Sequence, residues 1–589
     1  MSKVVVALAL ALLSLAPASA SAQRVDRVPT PELDPAGINI VPRPCKYEGK
    51  DPREKTFYKT EGWKGPDYVR YPGACQRMRF SFGPIAVKPG QNDVLVNPVT
   101  IEKPLVDGYI TRFRPNLVRA DGTVPPVEQV HLHHGTWLSY PEYGAGPFFA
   151  SGEEKTVAPF PRGFGMPVQG SDTWLLLYMV HSAVSQPMEA YIIYDIDFIP
   201  KEKGDALGIK PAYPLWLDVR PSGYPVFNTQ RSFGGKDGRC TWPREKCAAF
   251  DPYGNEIVGQ GQAGNGKGED WTFPKKGDPF GKAGPFTGGT IIGMGGHLHP
   301  GGIQNEIDLV RGKKKRRIYT GRAEYWKNQK KAGGPMDSWN FSMPVVGNPF
   351  WGVRVKPGDK LRSNATYDTR LQSTYENMGI AVSLLVPDDE NGKPQAAGVN
   401  PFKVKRDTSR DCYKHGGIKA SPPVLCDNGV VTHGQLVENT NRGGPSGKWS
   451  AKSAGAASDV GITDFLYEPG DLSMRTSMGI PTVSLGSKLR FTNFDASGDI
   501  YHTITSCRFP CLGQTGAAFP IADGRTSAKR KLDFDSSEVG FGPPAIGPAK
   551  QAVNWDLEVS KQEGYKPGEV VTYYCRIHPF MRGAFEVEK

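Results

Sequence analysis

The residues with the plainest chemistry lie in Tyr573-Tyr-Cys575-Arg-Ile-His578-Pro-Phe-Met581-Arg-Gly, where a thiol, an imidazole and a thioether recur at i, i+3 and i+6. A second imidazole stands far upstream, in Asp499-Ile-Tyr-His502-Thr-Ile-Thr505. Two His, one Cys and a weak axial Met make the donor set of a blue-copper centre. Soft sulfur favours Cu(I), the imidazoles keep Cu(II) bound, and the ion changes oxidation state with little rearrangement. The cysteines point the same way. Eight of the nine fall into sequence-neighbouring couples, Cys45 with Cys75, Cys240 with Cys247, Cys412 with Cys426 and Cys507 with Cys511, although sequence does not fix connectivity. Cys575 is the odd one, and a thiol in an oxidising compartment is protected when a metal holds it as thiolate.

The chain has only 10 histidines, and most of the others also cluster. His131-Leu-His133-His134 is one group, His181 closes the apolar run from Trp174, and Gly295-Gly296-His297-Leu-His299-Pro300 is another. On a strand, residues i and i+2 share a face, so His297 and His299 can chelate one ion. The same alternation puts His131 and His133 on one face and sets His133 against His134.

These motifs carry two resemblances. Over roughly residues 460–589 the chain resembles the cupredoxins, closest to amicyanin and pseudoazurin, through the short Cys-x-x-His-x-x-Met loop with its Pro-Phe and through His-Thr-Ile-Thr. That implies a Greek-key sandwich with His502, Cys575, His578 and Met581 as copper ligands. A long insert between His502 and the Cys loop departs from the pattern. From about residue 85 to 387 the chain resembles the ascorbate-dependent copper type II monooxygenases, which include peptidylglycine α-hydroxylating monooxygenase and dopamine β-monooxygenase. Val130-His-Leu-His-His-Gly135 looks like their His-His motif, Met179-Val-His181-Ser like their third-histidine strand, and Tyr375-Glu-Asn-Met378 like their Glu-Met segment. The resemblance implies two tandem β-sandwiches with a mononuclear copper on each: His133, His134 and His181 at the electron-storage site, and His297, His299 and Met378 at the catalytic, dioxygen-binding site. Gly135 replaces the family's Met after the pair. The extra His131 leaves open a set of His131 and His133 with His181, and Met294, Met336 and Met343 compete with Met378.

These motifs need strands to hold them. With 70 Gly and 52 Pro, long helices are disfavoured, and Tyr191–Pro200 and Lys488–Asn493 alternate with period two, so the chain is expected to be all-β. The expected order is a signal peptide over 1–22, with a basic start, an apolar middle and a small-residue cleavage box. A first monooxygenase-type sandwich over 23–200 follows, then a second over 201–390 with a Gly-rich insert at 229–285. A disulfide-tied segment and Gly/Ser-rich linker over 391–457 then lead to the cupredoxin sandwich over 458–589. The leader implies a secreted or periplasmic protein, and no later run is long enough to span a membrane. The formal charge is +12, or +11 without Lys3, and its one dense run, Lys313–Arg317, reads as an exposed hairpin turn rather than a nucleic-acid surface.

The resulting expectation is an exported copper monooxygenase that hydroxylates a C–H bond of an unidentified organic substrate with O2. Its electron donor would be an ascorbate-like reductant or a redox protein, and the fused blue copper would pass electrons inward. The alternative is a non-enzymatic copper-binding or electron-transfer protein. A multicopper oxidase is disfavoured because Tyr574 and Arg576, not histidines, flank Cys575. The chain has no His-Glu-x-x-His, Gly-x-Ser-x-Gly or phosphate-loop motif, which removes the corresponding hydrolase and nucleotide chemistries.

Overall fold

The structure is a computed structural model. It describes residues 42–46 and most of residues 67–219, 270–325, 341–407, 453–507 and 552–588, with short pieces between them. The expected leader at 1–22, His415, His433, His578, Met336, Cys247, Cys412 and Cys511 lie outside the described residues.

The regular structure of the described chain is nearly all β, as the composition predicts. The main strands of the first sandwich are β1 (Gln76–Val87), β2 (Val99–Ile101), β3 (Gly108–Val118), β4 (Val130–Tyr140), β5 (Gly146–Gly152), β6 (Phe164–Val168), β7 (Thr173–Ser182) and β8 (Met188–Pro200). One sheet runs β1-β8-β3-β6 and the other β2-β7-β4-β5. β8 is rich in β-branched and aromatic residues, which suit a pleated surface covered on both faces. Two of its three acids are buried but matched: Asp197 accepts from Arg77 at 2.6 and 2.9 Å, and Asp195 from Arg79 at 2.6 and 2.8 Å. Between the sheets Phe113 packs on Phe149, Trp137 and Phe148 at ring-centroid distances of 4.5, 5.3 and 5.9 Å. This aromatic block lies beneath β4, the strand that carries three histidines.

A short helix, α1 (Lys201–Ala206), leads to the second sandwich. Its main strands are β9 (Tyr213–Asp218), β10 (Gly289–His297), β11 (Gly302–Arg311), β12 (Lys314–Arg322), β13 (Pro344–Val346), β14 (Lys360–Asp368), β15 (Ser373–Asn377) and β16 (Ile380–Pro387). One sheet runs β9-β16-β10-β13, and β14-β11-β12 lie in the facing one. The expected insert adds to that second sheet, since Arg239–Trp242 and Asp270–Thr272 both pair with β14. The basic run turns at Gly312, whose φ of 56° few other residues adopt readily, and Arg317 folds back onto Asp308 at 2.6 Å and onto Glu306. Val399 and Phe402 still pack on this sandwich's core, past the expected boundary at 390.

The third sandwich comprises β17 (Ser453–Ala456), β18 (Asp459–Thr463), β19 (Leu466–Glu468), β20 (Ile480–Val483), β21 (Ser487–Asn493), β22 (Thr505–Cys507), β23 (Pro520–Ile521), β24 (Asn554–Val559), β25 (Val570–Tyr574) and β26 (Arg582–Val587). The sheets run β17-β20-β26-β25-β22 and β19-β18-β21-β24 around their own core, which includes Phe491, Tyr573 and Phe585. β23 leaves this sandwich and pairs with β15 of the second, Ser373 facing Ile521 and Thr374 facing Pro520. The insert after His502 thus reaches the segment that leads to Met378.

The first two sandwiches share an apolar seam. Ile292 of β10 and Leu384 and Val386 of β16 belong to the same buried cluster as the first sandwich's aromatic block. Burial of side chains this size contributes roughly 1.5–3 kcal/mol each, enough to fix the two sheets face to face. Cys45 and Cys75 form a disulfide, as their neighbourhood in sequence suggested. Among the described residues no helix is long and apolar enough to cross a membrane.

Candidate metal centres

The C-terminal group of donors is assembled by a hairpin. β25 and β26 pair up to Tyr574 and Arg582, which places Cys575 and Met581 side by side at the hairpin's end, and the Cys575 N–H donates to the Met581 carbonyl at 3.1 Å. Both side chains are fully buried. His502 arrives from the opposite direction, held by reciprocal backbone bonds with Val539 of 3.2 and 2.7 Å. Its Nδ1 lies 3.8 Å from the Cys575 sulfur, and the Thr503 N–H points at the same sulfur from 3.4 Å. A backbone donor aimed at sulfur stabilises a thiolate. Three of the four sequence-named ligands therefore converge, in a donor set suited to copper; His578 is the one outside the described residues.

Sequence reasoning did not single out Asp495. Its carboxylate accepts from His502 Nε2 at 2.9 Å and is itself fixed by the backbone N–H groups of Asp464 and Phe465 at 2.8 and 3.1 Å. Burial alone would discharge His502, but Asp495 and the Cys575 thiol outweigh it and raise the imidazole's pKa. With Nε2–H committed to Asp495, Nδ1 is left as the metal-facing nitrogen. Asp495→Asn is expected to lower Cu(II) affinity by roughly 10–100-fold while leaving the visible spectrum recognisable. Copper titration against a competing chelator measures this, and unchanged affinity would assign Asp495 a purely structural role.

The second group of donors is larger and sits at the seam. β4 and β7 pair so that His131 faces His181, and His131 Nε2 lies 3.3 Å from His181 Nδ1. The register slips between Leu132 and His134, leaving His133 as a β-bulge. A bulge breaks strict alternation and re-aims a side chain. It lets the adjacent His133 and His134 serve one site, which a regular strand forbids. Gly135 follows because a Cβ there would stand 3.0 Å from the Trp137 indole.

The remaining histidines come from the second sandwich. His297 ends β10, and Gly296 before it leaves room for Asn305, whose side-chain oxygen would lie 2.4 Å from an added Cβ and whose Nδ2 donates to the Ile380 carbonyl. The His299 N–H donates to the Tyr367 hydroxyl at 2.8 Å, and that hydroxyl donates to the Met378 carbonyl at 2.8 Å. Tyr367, unsuspected from sequence, thus ties the backbones of His299 and Met378 together. The Met378 side chain packs with Ile380 and Trp216. Of its competitors, Met294 and Met343 are core residues.

Ring nitrogens of His133, His134 and His299 all lie within 4.8 Å of one another. Ring centroids are 4.2 Å apart for His133 and His299, 5.6 Å for His133 and His134, and 5.1 Å for His297 and His299. All six histidines are buried. Burial strips water from the charged form and neighbouring imidazoles repel a second charge, so the pKa values of His133, His181 and His299 fall well below the usual value and that of His134 falls to about 3. Both ring nitrogens of His299 lack a hydrogen-bond partner among the described residues. A neutral, buried imidazole such as that of His299 is the form a soft or borderline metal binds. A cavity of about 50 Å³ adjoins the cluster, walled by Phe113, Phe148, Phe160, Met166 and Met294 with His297 at its edge.

No protein-family profile matches the chain, and no curated protein does. Among solved structures it is similar to a reduced mutant of amicyanin, at 19% identity over 23% of this chain and 82% of that one, with a TM-score of 0.12. It is also similar to a purple cupredoxin from Nitrosopumilus maritimus, at 17% identity over 22% and 100% of the two chains, with a TM-score of 0.13. A copper-containing nitrite reductase from Thermus scotoductus SA-01 matches at 12% identity over 51% of this chain and 55% of its own, with a TM-score of 0.13. Likenesses this faint carry no weight beside the topology and donor geometry described above.

Proposed function

We propose that the protein is an extracytoplasmic copper oxidoreductase: a monooxygenase that hydroxylates a C–H bond of an organic substrate with O2 and receives electrons through its blue-copper domain. The observation that carries this reading is the meeting of six buried histidines from two sandwiches, in a chain that also builds a separate His-Cys-Met site. Copper held by the histidines would supply O2 binding and one-electron redox chemistry. In the overall reaction one oxygen atom enters the C–H bond and the other leaves as water, consuming two electrons and two protons. Two electrons require more than one copper or repeated delivery, and a fused electron carrier answers that need. The disulfide between Cys45 and Cys75 supports an oxidising compartment.

The chain's own residues prepare the site. Trp137 and the aromatic block fix β4 from below. The seam excludes water, and its cavity offers an apolar molecule such as O2 a route to His297. The copper-loaded full chain is expected to consume O2 when given a reductant and an acceptable substrate. His299→Ala is expected to abolish that uptake while the visible band of the Cys575 site persists. If no uptake occurs across varied substrates and the bound copper passes readily to a chelator, the protein is a copper carrier and the enzymatic reading fails.

A further inference from the structure

We infer that the histidines at the seam hold two copper ions in one cluster spanning both sandwiches, instead of one isolated copper on each. The inference rests on the copper reading above and regroups its ligands. A mononuclear site on each sandwich would keep His133 and His134 apart from His299, yet their nitrogens lie within 4.8 Å of one another. One ion among them would draw donors from both sandwiches, with His297 next to His299 at 5.1 Å between rings. The second pair of donors is His131 and His181, with facing nitrogens 3.3 Å apart. His133 lies between the groups, its ring 6.0 Å from that of His131, 6.3 Å from that of His181 and 4.2 Å from that of His299. Two Cu(II) ions couple antiferromagnetically when one ligand bridges them, and His133, standing between the two groups, would bridge them as an imidazolate. This arrangement employs the extra His131 and leaves Met378 as a packing residue beside Ile380 and Trp216.

The test is metal analysis with electron paramagnetic resonance spin counting on the copper-loaded full chain, oxidised with ferricyanide. The expected result is three coppers per chain but a spin signal close to that of the blue copper alone, because the two cluster ions couple. Three coppers with three independent spins would overturn the cluster while leaving the copper reading intact. A single copper at the seam would also overturn it, and none there would overturn both. His131→Ala is expected to remove one copper and unmask the spin of its neighbour, whereas Met378→Leu is expected to change neither count nor coupling. The opposite pattern would restore the isolated sites. The unsubstituted chain answers the question even if one variant does not fold.

Discussion

A Cys575→Ser chain is expected to lose the intense visible absorption of the copper-loaded protein entirely while keeping its β-sheet circular dichroism. The band depends on a copper–thiolate bond, and His502 Nδ1 lies 3.8 Å from the Cys575 sulfur, with the Thr503 N–H directed at it from 3.4 Å. Serine is nearly isosteric, and Cys575 is one member of a large buried core that also includes Phe491, Tyr573 and Phe585, so the fold is expected to survive. Its hydroxyl stays protonated and is a poor ligand for Cu(I). Electron entry should fail with the band. Reduction of the histidine-bound copper through this domain should stop in Cys575→Ser and persist in Asp495→Asn. A variant that keeps its visible band would show that the copper–thiolate assignment is wrong.

The second large effect is acid lability of the metal-free protein well above the carboxylate range. His133, His181 and His299 have folded-state pKa values far below the usual one, and His134 lies at about 3. In the unfolded chain each titrates near the ordinary value of about 6.5. Between those limits the unfolded chain binds protons that the folded one does not, so stability rises with pH. The contribution is complete above the unfolded value and is lost as pH falls toward the folded values. From about pH 7 to about pH 5 each such histidine should cost about 2 kcal/mol, and four together several times a typical mutational effect. Urea unfolding of the metal-free chain at the two pH values measures the difference. The paired carboxylates Asp195 and Asp197, lowered because their arginines outweigh burial, lose their contribution only in more acid solution, so the two windows separate. Equal midpoints at both pH values would mean that the histidines are not buried in neutral form. Copper should shift the loss to lower pH, because protons must then displace the metal.

The sequence by itself determined the features set by local spacing. Cys575 and Met581 face each other because a hairpin loop of fixed length separates them, and His297 and His299 lie two residues apart beside permissive glycines. The all-β class follows from many Gly and Pro and from short alternating runs such as Lys488–Asn493, whereas nearness in the chain only suggested the Cys45–Cys75 pairing that the structure shows. Other features depended on where distant segments land. Alternation sets His133 against His134, and only the register of β4 against β7 introduces the bulge that joins them. Family resemblance assigned His299 to a different copper from His133, and only the apolar seam formed by Ile292, Leu384 and Val386 brings their rings to 4.2 Å. Asp495 behind His502 and Tyr367 between His299 and Met378 carry no sequence signature, since any acid or phenol elsewhere in the chain would read the same. Ligand identity is a property of side-chain chemistry and short loops, which sequence displays. Which ligands share one ion is decided by the packing of sheets, through contacts between residues far apart in the chain.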